Sequence, residues 1–431
     1  MRLSGWGGYP ARDAELIVPA TISHWREAIR SGSTCIRGMG RAYGDSAIAA
    51  RVAVTRRMDR FIDFDRQTGV ITCDGGVTLR DLLRVTVPSG WCVRVTPGTS
   101  WVTVGGAIAS DVHGKNHHAA GTFGQHVIRM GLLLGNGEMV EISSESHPDL
   151  FNATCGGMGL TGVILWAQLR LLPIQTGNIL EARYRTGSLE ETCELFERHA
   201  SAEYSVAWVD ALSRGRRLGR GVLSIGQHAG EGSLDFAPRV VARVPTTPSF
   251  CVLNQLAMRL FNEAYFRAAK SGSERMVPLT QFFYPLDAVD GWNRLYGDKG
   301  FLQYQFVIPV EGGAAVMRSI LELLSRRGHF AYLAVLKLFG EANHHWLSFP
   351  IRGYALALDF KWSDDLLPAL AEADKLVLAA GGRVYLAKDS CLDREVFRAM
   401  YPRWVQFEQL REKFGAIGVF RSDQSARLGF V

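Results

Sequence analysis

Lysine is scarce in this chain: eight lysines stand against forty arginines. Three of the eight fall where a cation has chemistry to do. Lys115 lies in His113-Gly114-Lys115-Asn116-His117-His118, Lys337 interrupts the apolar run 331–339, and Lys388 ends Val384-Tyr385-Leu386-Ala387-Lys388. A buried ammonium is costly unless it meets an anion or a carboxylate. Asp359, equally isolated in the run 354–362, is the matching partner for Lys337, so a buried Lys337–Asp359 pair and a substrate-facing Lys337 are both open readings. Both hold if the pair lines a pocket. Gln303 and Gln305 are two apart in a strand-like run and share one face, with Leu302, Tyr304 and Phe306 on the other. That polar face is either solvated or a pocket wall. His113, His117 and His118 have no suitably spaced carboxylate or cysteine, so no metal site is expected.

Glycine patterns supply the second kind of chemistry. Arg37-Gly38-Met39-Gly40-Arg41-Ala42-Tyr43-Gly44-Asp45 follows Thr34-Cys35-Ile36. Its glycines allow positive φ, so successive backbone N–H groups can converge on a phosphate, and Arg37 or Arg41 would add charge-assisted bonds. A glycine-rich surface turn is the plainer reading. The stretch 96–118 resembles a nucleotide-phosphate loop only superficially: Ala109 stands where a glycine is needed, and Asn116 replaces the Ser/Thr that would hold magnesium. What remains is a long loop of small residues able to run beside a large flat ligand. Gly157-Met158-Gly159-Leu160-Thr161-Gly162 matches GxGxxG, but a helix-like run precedes it and an apolar strand follows. That order is the reverse of a dinucleotide fingerprint, and tight-turn packing is expected instead.

These residues need elements to hold them. Thr21 or Ser23 caps a predicted helix through Trp25, Ala28 and Ile29; Thr78 caps another through Leu79, Leu82 and Leu83. Residues 127–134 and 139–142 flank Asn136-Gly137, a hairpin signal, and 163–172 reads as a strand ending at Pro173. Strand-like runs 301–308, 331–339 and 354–360 alternate with helices near 314–325 and 365–379. The stretch 215–275, rich in Arg, Gly and Pro, has weak periodicity and reads as mobile or membrane-facing. At 431 residues the chain holds two or three cores. Its 47% hydrophobic content excludes a disordered chain, and a net charge of +6 is too diffuse for a nucleic-acid binder. Seven scattered cysteines read as reduced thiols. The amino-terminal residues show no cleavable signal and no uncharged apolar run reaches membrane-spanning length, so a cytoplasmic place is expected.

The RGMGRAYGD loop, TPGTSWVTVGGAIASDVHGKNHH, the GGMGLTG turn and the carboxy-terminal VYLAKDS closely resemble the vanillyl-alcohol-oxidase (PCMH-type) FAD-linked oxidoreductases, nearly end to end. The resemblance implies an α+β fold: a two-part FAD-binding domain over 1–176 and 383–431, and a substrate domain over 177–382 with an antiparallel sheet covered by helices. It implies that FAD is held by the first loop, Ile36, Arg37, Gly38, Met39, Gly40, Arg41, Ala42, Tyr43, Gly44, Asp45 and Ser46. The second loop would add Gly98, Thr103, Val104, Gly105, Gly106, Ser110, Asp111, Val112 and His113, joined by Ile164 and Tyr385. Several relatives tether the flavin through a first-loop histidine; Arg41 stands there, which implies non-covalent FAD.

Within the family the likeness is to members that oxidise the 2-hydroxyl of a polyprenyl-phosphoryl ribose to the 2-keto sugar. That is the first half of an epimerisation to the arabinose form for cell-wall polysaccharide. It implies Lys388, His113 and Tyr43 as catalytic residues, and Lys115, Gln303, Gln305, Lys337, Asp359 and Lys388 as substrate contacts. Lys388 is the expected cation for the charge that reduced flavin carries near N1 and O2. An NADH-dependent short-chain reductase acting on the keto product and a peripheral contact at the inner membrane surface are implied as partners. Mycobacterial members carry cysteine at the place of Ala357, and Phe283-Tyr284 and Cys391 also depart from them. A soluble alditol or sugar-lactone oxidase of the same fold, and a non-catalytic flavin-binding protein, are the alternatives.

Overall fold

The computed structural model describes residues 1–430. The first half is built on two small sheets. Strands Glu15–Ile17, Arg51–Val54 and Cys35–Arg37 lie parallel in that spatial order, and the last runs straight into the first glycine loop. The helix Ile22–Arg30 covers them, capped by Thr21 and burying Trp25, Ala28 and Ile29. The second sheet is antiparallel, ordered Met139–Ser143, Val127–Leu133, Val163–Arg170, Val70–Asp74, Phe61–Asp65. Its hairpin turns at Asn136-Gly137, where Gly137 has φ +86°. Thr78 caps the helix Leu79–Thr86 through the Asp81 N–H, and Thr103 caps Val104–Ala109 through the Gly106 N–H. The second glycine loop therefore begins on a fixed hydroxyl.

The middle of the chain forms one eight-stranded sheet, ordered Ser273–Pro278, Asn178–Thr186, Gly221–His228, Tyr204–Val209, Leu333–Phe339, Gly353–Lys361, Phe301–Pro309, Arg383–Val384. Every neighbouring pair is antiparallel. Alternation along the strands sends Tyr304, Phe306, Leu356, Leu358 and Leu336 to one face. There they join Met317, Ile320, Leu370 and Val377 of the helices Gly313–Arg326 and Leu366–Ala379 in a single apolar core. After Val384 the chain turns back under the first glycine loop, where Tyr43 N–H donates to the Ala387 carbonyl at 3.1 Å. The helices Arg394–Met400, Trp404–Lys413 and Asp423–Leu428 then close the first half.

One expectation meets a different outcome. The stretch 215–275 is not uniformly a loop: Gly221–His228 is an inner strand paired on both sides. Its signal is masked by Gly226, whose missing side chain leaves room for the Phe282 ring, and by Ser224 and Gln227. The GxGxxG run lies between the helix Pro148–Thr154 and the strand Val163–Arg170, and its turn uses positive φ at Met158 and Gly159. All seven cysteines are free, five of them buried. Among the described residues no helix is long and apolar enough to cross a membrane.

Candidate active site

The sheet face opposite the helices is the floor of a long cavity. Register places three strands in rungs: Gln303 opposite Asp359 opposite Leu333, Gln305 opposite Ala357 opposite Val335, and Val307 opposite Ala355 opposite Lys337. Both glutamines therefore face the cavity, with Lys337 two strands across. The Lys337–Asp359 pair does not form. The two stand four residues apart along the strands, about 13 Å at strand rise. Asp359 instead accepts from the Gln303 amide, which screens it from the cavity.

The roof is made by the two glycine loops. Gly38, Met39, Gly40, Arg41, Ala42, Tyr43 and Ser46, with Ile36 at the strand end, line the cavity from the first. Gly98, Thr103, Gly105, Gly106, Ser110, Val112 and His113 line it from the second, with Ile164 and Tyr385 at the sides. The loops touch so closely that a Cβ on Gly38 would lie 2.3 Å from Thr103 Oγ1. Gly40 sits at φ +63°, where a Cβ would lie 2.1 Å from the Arg37 guanidinium. Among the described residues no backbone N–H from Gly38 to Ala42 donates to a protein acceptor. Those free donors face a cavity of about 1810 Å³, counting its open mouth. A row of unspent amides beside an extended, partly apolar slot fits a dinucleotide diphosphate followed by a flat ring system.

Several expected residues do other work. The Arg37 guanidinium donates to the Ala47 and Ser4 carbonyls and shapes the loop from behind. Arg41 lines the cavity but lies flat on Trp6, 3.7 Å from its ring centroid. Gly44 packs on the Asp389 carbonyl, Val104 is core, and Asp45 accepts two hydrogen bonds from Arg427 at 3.0 and 2.8 Å. Asp111, at φ +40°, accepts from His345 Nδ1 at 2.7 Å, Ser348 Oγ at 2.6 Å, Asn343 Nδ2 at 2.8 Å and the Gly124 N–H at 3.0 Å. Those partners hold its carboxyl at about 2 despite burial, so it fixes the second loop without facing the cavity. Lys115 is outside the lining too: Nζ donates to the Phe282 carbonyl and lies over the Phe282 ring.

Around the cavity floor stands a set of groups detuned by burial, with Asp359 behind Gln303. His113 Nε2 lies 2.8 Å from the Gln305 amide, and Nδ1 lies 3.5 Å from Lys337 Nζ. Burial first, then Lys337, keeps the His113 imidazole well below its ordinary pKa, hence neutral. Burial lowers Lys337 to about 8. Lys388 Nζ stands 3.9 Å from the Tyr43 ring centroid; burial brings it to about 7, with Asp359 opposing and Lys337 adding. Asp359 is raised to about 7 by burial against Gln303 and Lys388, and its Oδ2 has no hydrogen-bond partner among the described residues. Neither Lys337 nor Lys388 has a carboxylate in ion-pairing range among the described residues, so both cations remain available to a ligand.

No local pattern in the sequence points to Arg427, Trp6, Trp292 or the His345–Ser348 cluster. Their partners are far away in the chain and follow no local pattern. Asp287 is a similar case: it accepts from Thr99 and Ser100 and pins the second loop from the sheet side.

Fold and cavity together define an FAD-linked oxidoreductase, and comparison with known proteins agrees. A family profile described as an FAD binding domain matches residues 17–143. The decaprenylphosphoryl-β-D-ribose oxidase of Mycolicibacterium smegmatis is 40% identical over 99% of this chain and 97% of its own. An uncharacterised Streptomyces coelicolor protein from the mprA 5′ region is 36% identical over 82% of this chain and all of its own length. The mouse L-gulonolactone oxidase is 26% identical over 42% of each. The chain belongs to the decaprenylphosphoryl-β-D-ribose oxidase family of FAD-dependent oxidoreductases.

Proposed function

We propose that this enzyme oxidises the 2-hydroxyl of a polyprenyl-phosphoryl-β-D-ribose to the 2-keto sugar. The observation that carries this reading is the cavity floor: Lys337 and two glutamines stand on one sheet face under the flavin loops, and Lys388 joins them from the turn after the sheet's last strand. A glycosyl phosphate needs a cation for its charge and amides for its hydroxyls, and that face offers both. FAD, held without a covalent bond, supplies a two-electron acceptor at N5. The C2–H bond would break with its electron pair passing as hydride to bound FAD, the hydroxyl proton would pass to the neutral His113 imidazole, and the C=O bond would form. Lys337 takes the phosphate, and Gln303 and Gln305 orient the ribose. Lys388 stabilises the negative charge that accumulates beside it, with Tyr43 under its ammonium. His113, kept neutral, shares the hydroxyl hydrogen-bond network through Gln305.

The keto product suits an NADH-dependent short-chain reductase that completes epimerisation to the arabinose form for cell-wall polysaccharide. The substrate's lipid tail supports peripheral contact at a cytoplasmic membrane surface. The test is anaerobic mixing of the FAD-loaded enzyme with ribosyl and other glycosyl lipid phosphates and with free alditols and lactones. Bleaching of the yellow flavin by the ribosyl lipid phosphate alone is expected. Bleaching by the free sugars alone would move the enzyme to the lactone-oxidase class.

A further inference from the structure

The helix Gln255–Ala268 leaves its most apolar residues facing outward. It is fastened to the sheet through polar groups: Asn262 Nδ2 donates to Asp210 at 2.7 Å, and Glu263 pairs with Arg220 at 2.8 Å. Tyr265 adds an edge contact to Trp208. On its open side Leu256, Leu260 and Phe261 are 69%, 65% and 54% exposed. The chain leading into the helix adds Val241 and Phe250, 75% and 68% exposed. Isolated apolar side chains at a surface are ordinary, but Leu256, Leu260 and Phe261 are grouped within two turns of one helix, and such grouping marks a contact.

Charge narrows the partner. Residues 237–270 hold Arg239, Arg243, Arg259, Arg267 and Lys270 with one acid, Glu263; Arg243 pairs with Asp290 and Arg267 with Glu263, which leaves Arg239, Arg259 and Lys270 outside any ion pair among the described residues. An apolar ridge edged by cations is complementary to an anionic bilayer surface. Position narrows it further. Cys251 and Leu253 pack into the cluster of Trp292, Tyr296 and Phe301, and the Val252 N–H donates to the Leu295 carbonyl. Trp292 also lines the cavity, so the ledge adjoins the wall of the site.

We propose that the ledge of Val241, Phe250, Leu256, Leu260 and Phe261 inserts into the headgroup region of an anionic membrane beside the substrate cavity. This rests on the lipid-linked substrate reading. A polyprenyl phosphate would then reach Lys337 without its tail crossing water.

The test is flotation of the FAD-loaded enzyme with phosphatidylcholine vesicles, with and without phosphatidylglycerol, beside the variant L260E/F261E. The wild type is expected to float with the phosphatidylglycerol vesicles, less so at high salt, and the variant to partition roughly tenfold less. The variant should keep its flavin spectrum and its bleaching by detergent-dispersed ribosyl lipid phosphate, since neither residue lines the cavity. Equal flotation of both proteins, or none by the wild type, would overturn the proposal. So would a change from dimer to monomer in the variant with flotation unaltered, which would assign the ledge to a second copy. The detergent assay separates these outcomes from failure of the substrate reading, which would show as no bleaching in either protein.

Discussion

At the scale of single residues, the site works because lysines are buried with no carboxylate in ion-pairing range among the described residues. Lys388 is the clearest case. Lys388→Ala should keep the fold and the flavin but slow anaerobic flavin reduction by roughly two or more orders of magnitude, as for loss of a fixed charge stabiliser. Stopped-flow absorbance measures it, and near-normal reduction would remove Lys388 from the chemistry. Lys337 carries a stability cost, because burial lowers its pKa to about 8. Its ammonium is lost near pH 8 in the folded protein and near 10.5 in the unfolded chain. Between those values the unfolded chain binds more protons, so the group's contribution to stability rises with pH across that window, and the penalty is full below pH 8. Lys337→Met should therefore stabilise the ligand-free protein by about 1–3 kcal/mol at pH 7, with the gain vanishing above pH 10.5. The same variant should raise KM for the lipid phosphate. Denaturant melts across pH, paired with KM, check both; a variant less stable than wild type at pH 7 would contradict the unpaired-cation account.

At the scale of elements, two glycine loops and one returning turn meet at points where a side chain has no room. Gly40→Val combines a positive φ with a collision against Arg37, so the purified variant should be colourless while wild type is yellow. Retained flavin would refute the first loop as the diphosphate cradle. The turn bearing Lys388 is clamped by the last helix: Arg427 bonds Asp45 of the first loop and Asp389 beside Lys388, and Gln424 donates to the Leu386 carbonyl. Burial raises the Asp45 carboxyl against Arg427, so removing the guanidinium strands two buried acids. Arg427→Met should cost about 3–5 kcal/mol and weaken flavin retention, read by denaturant melts and by the FAD released on dilution. Much at this scale was legible in sequence. Thr21, Thr78 and Asn136-Gly137 mark their elements by local chemistry, and period-two alternation at 301–309 puts both glutamines on one face. The strand Gly221–His228 was not legible, because its pairing on both sides, and not its own pattern, makes it a strand.

At the scale of the whole molecule, the site exists only where the amino-terminal loops, the central sheet and the carboxy-terminal segment converge. The sequence showed which residues carry chemistry but not which of them meet. Lys337 and Asp359 looked like partners by type and are separated by register; Asp45 and Arg427 looked unrelated and are bonded across nearly the full chain. Lys115 shows the same limit, since its loop sits at the site while its ammonium turns to the Phe282 carbonyl. Ala357, on the middle rung opposite Gln305, gives the floor a methyl group and no thiol at that point. The central claim is that this assembled cavity removes a hydride from C2 of a lipid-phosphate ribose. Its most direct test is the anaerobic rate of flavin bleaching with substrate carrying deuterium at C2 or at C3. A several-fold slowing with the C2 label and none with the C3 label is expected; slowing with the C3 label, or no bleaching at all, would contradict it.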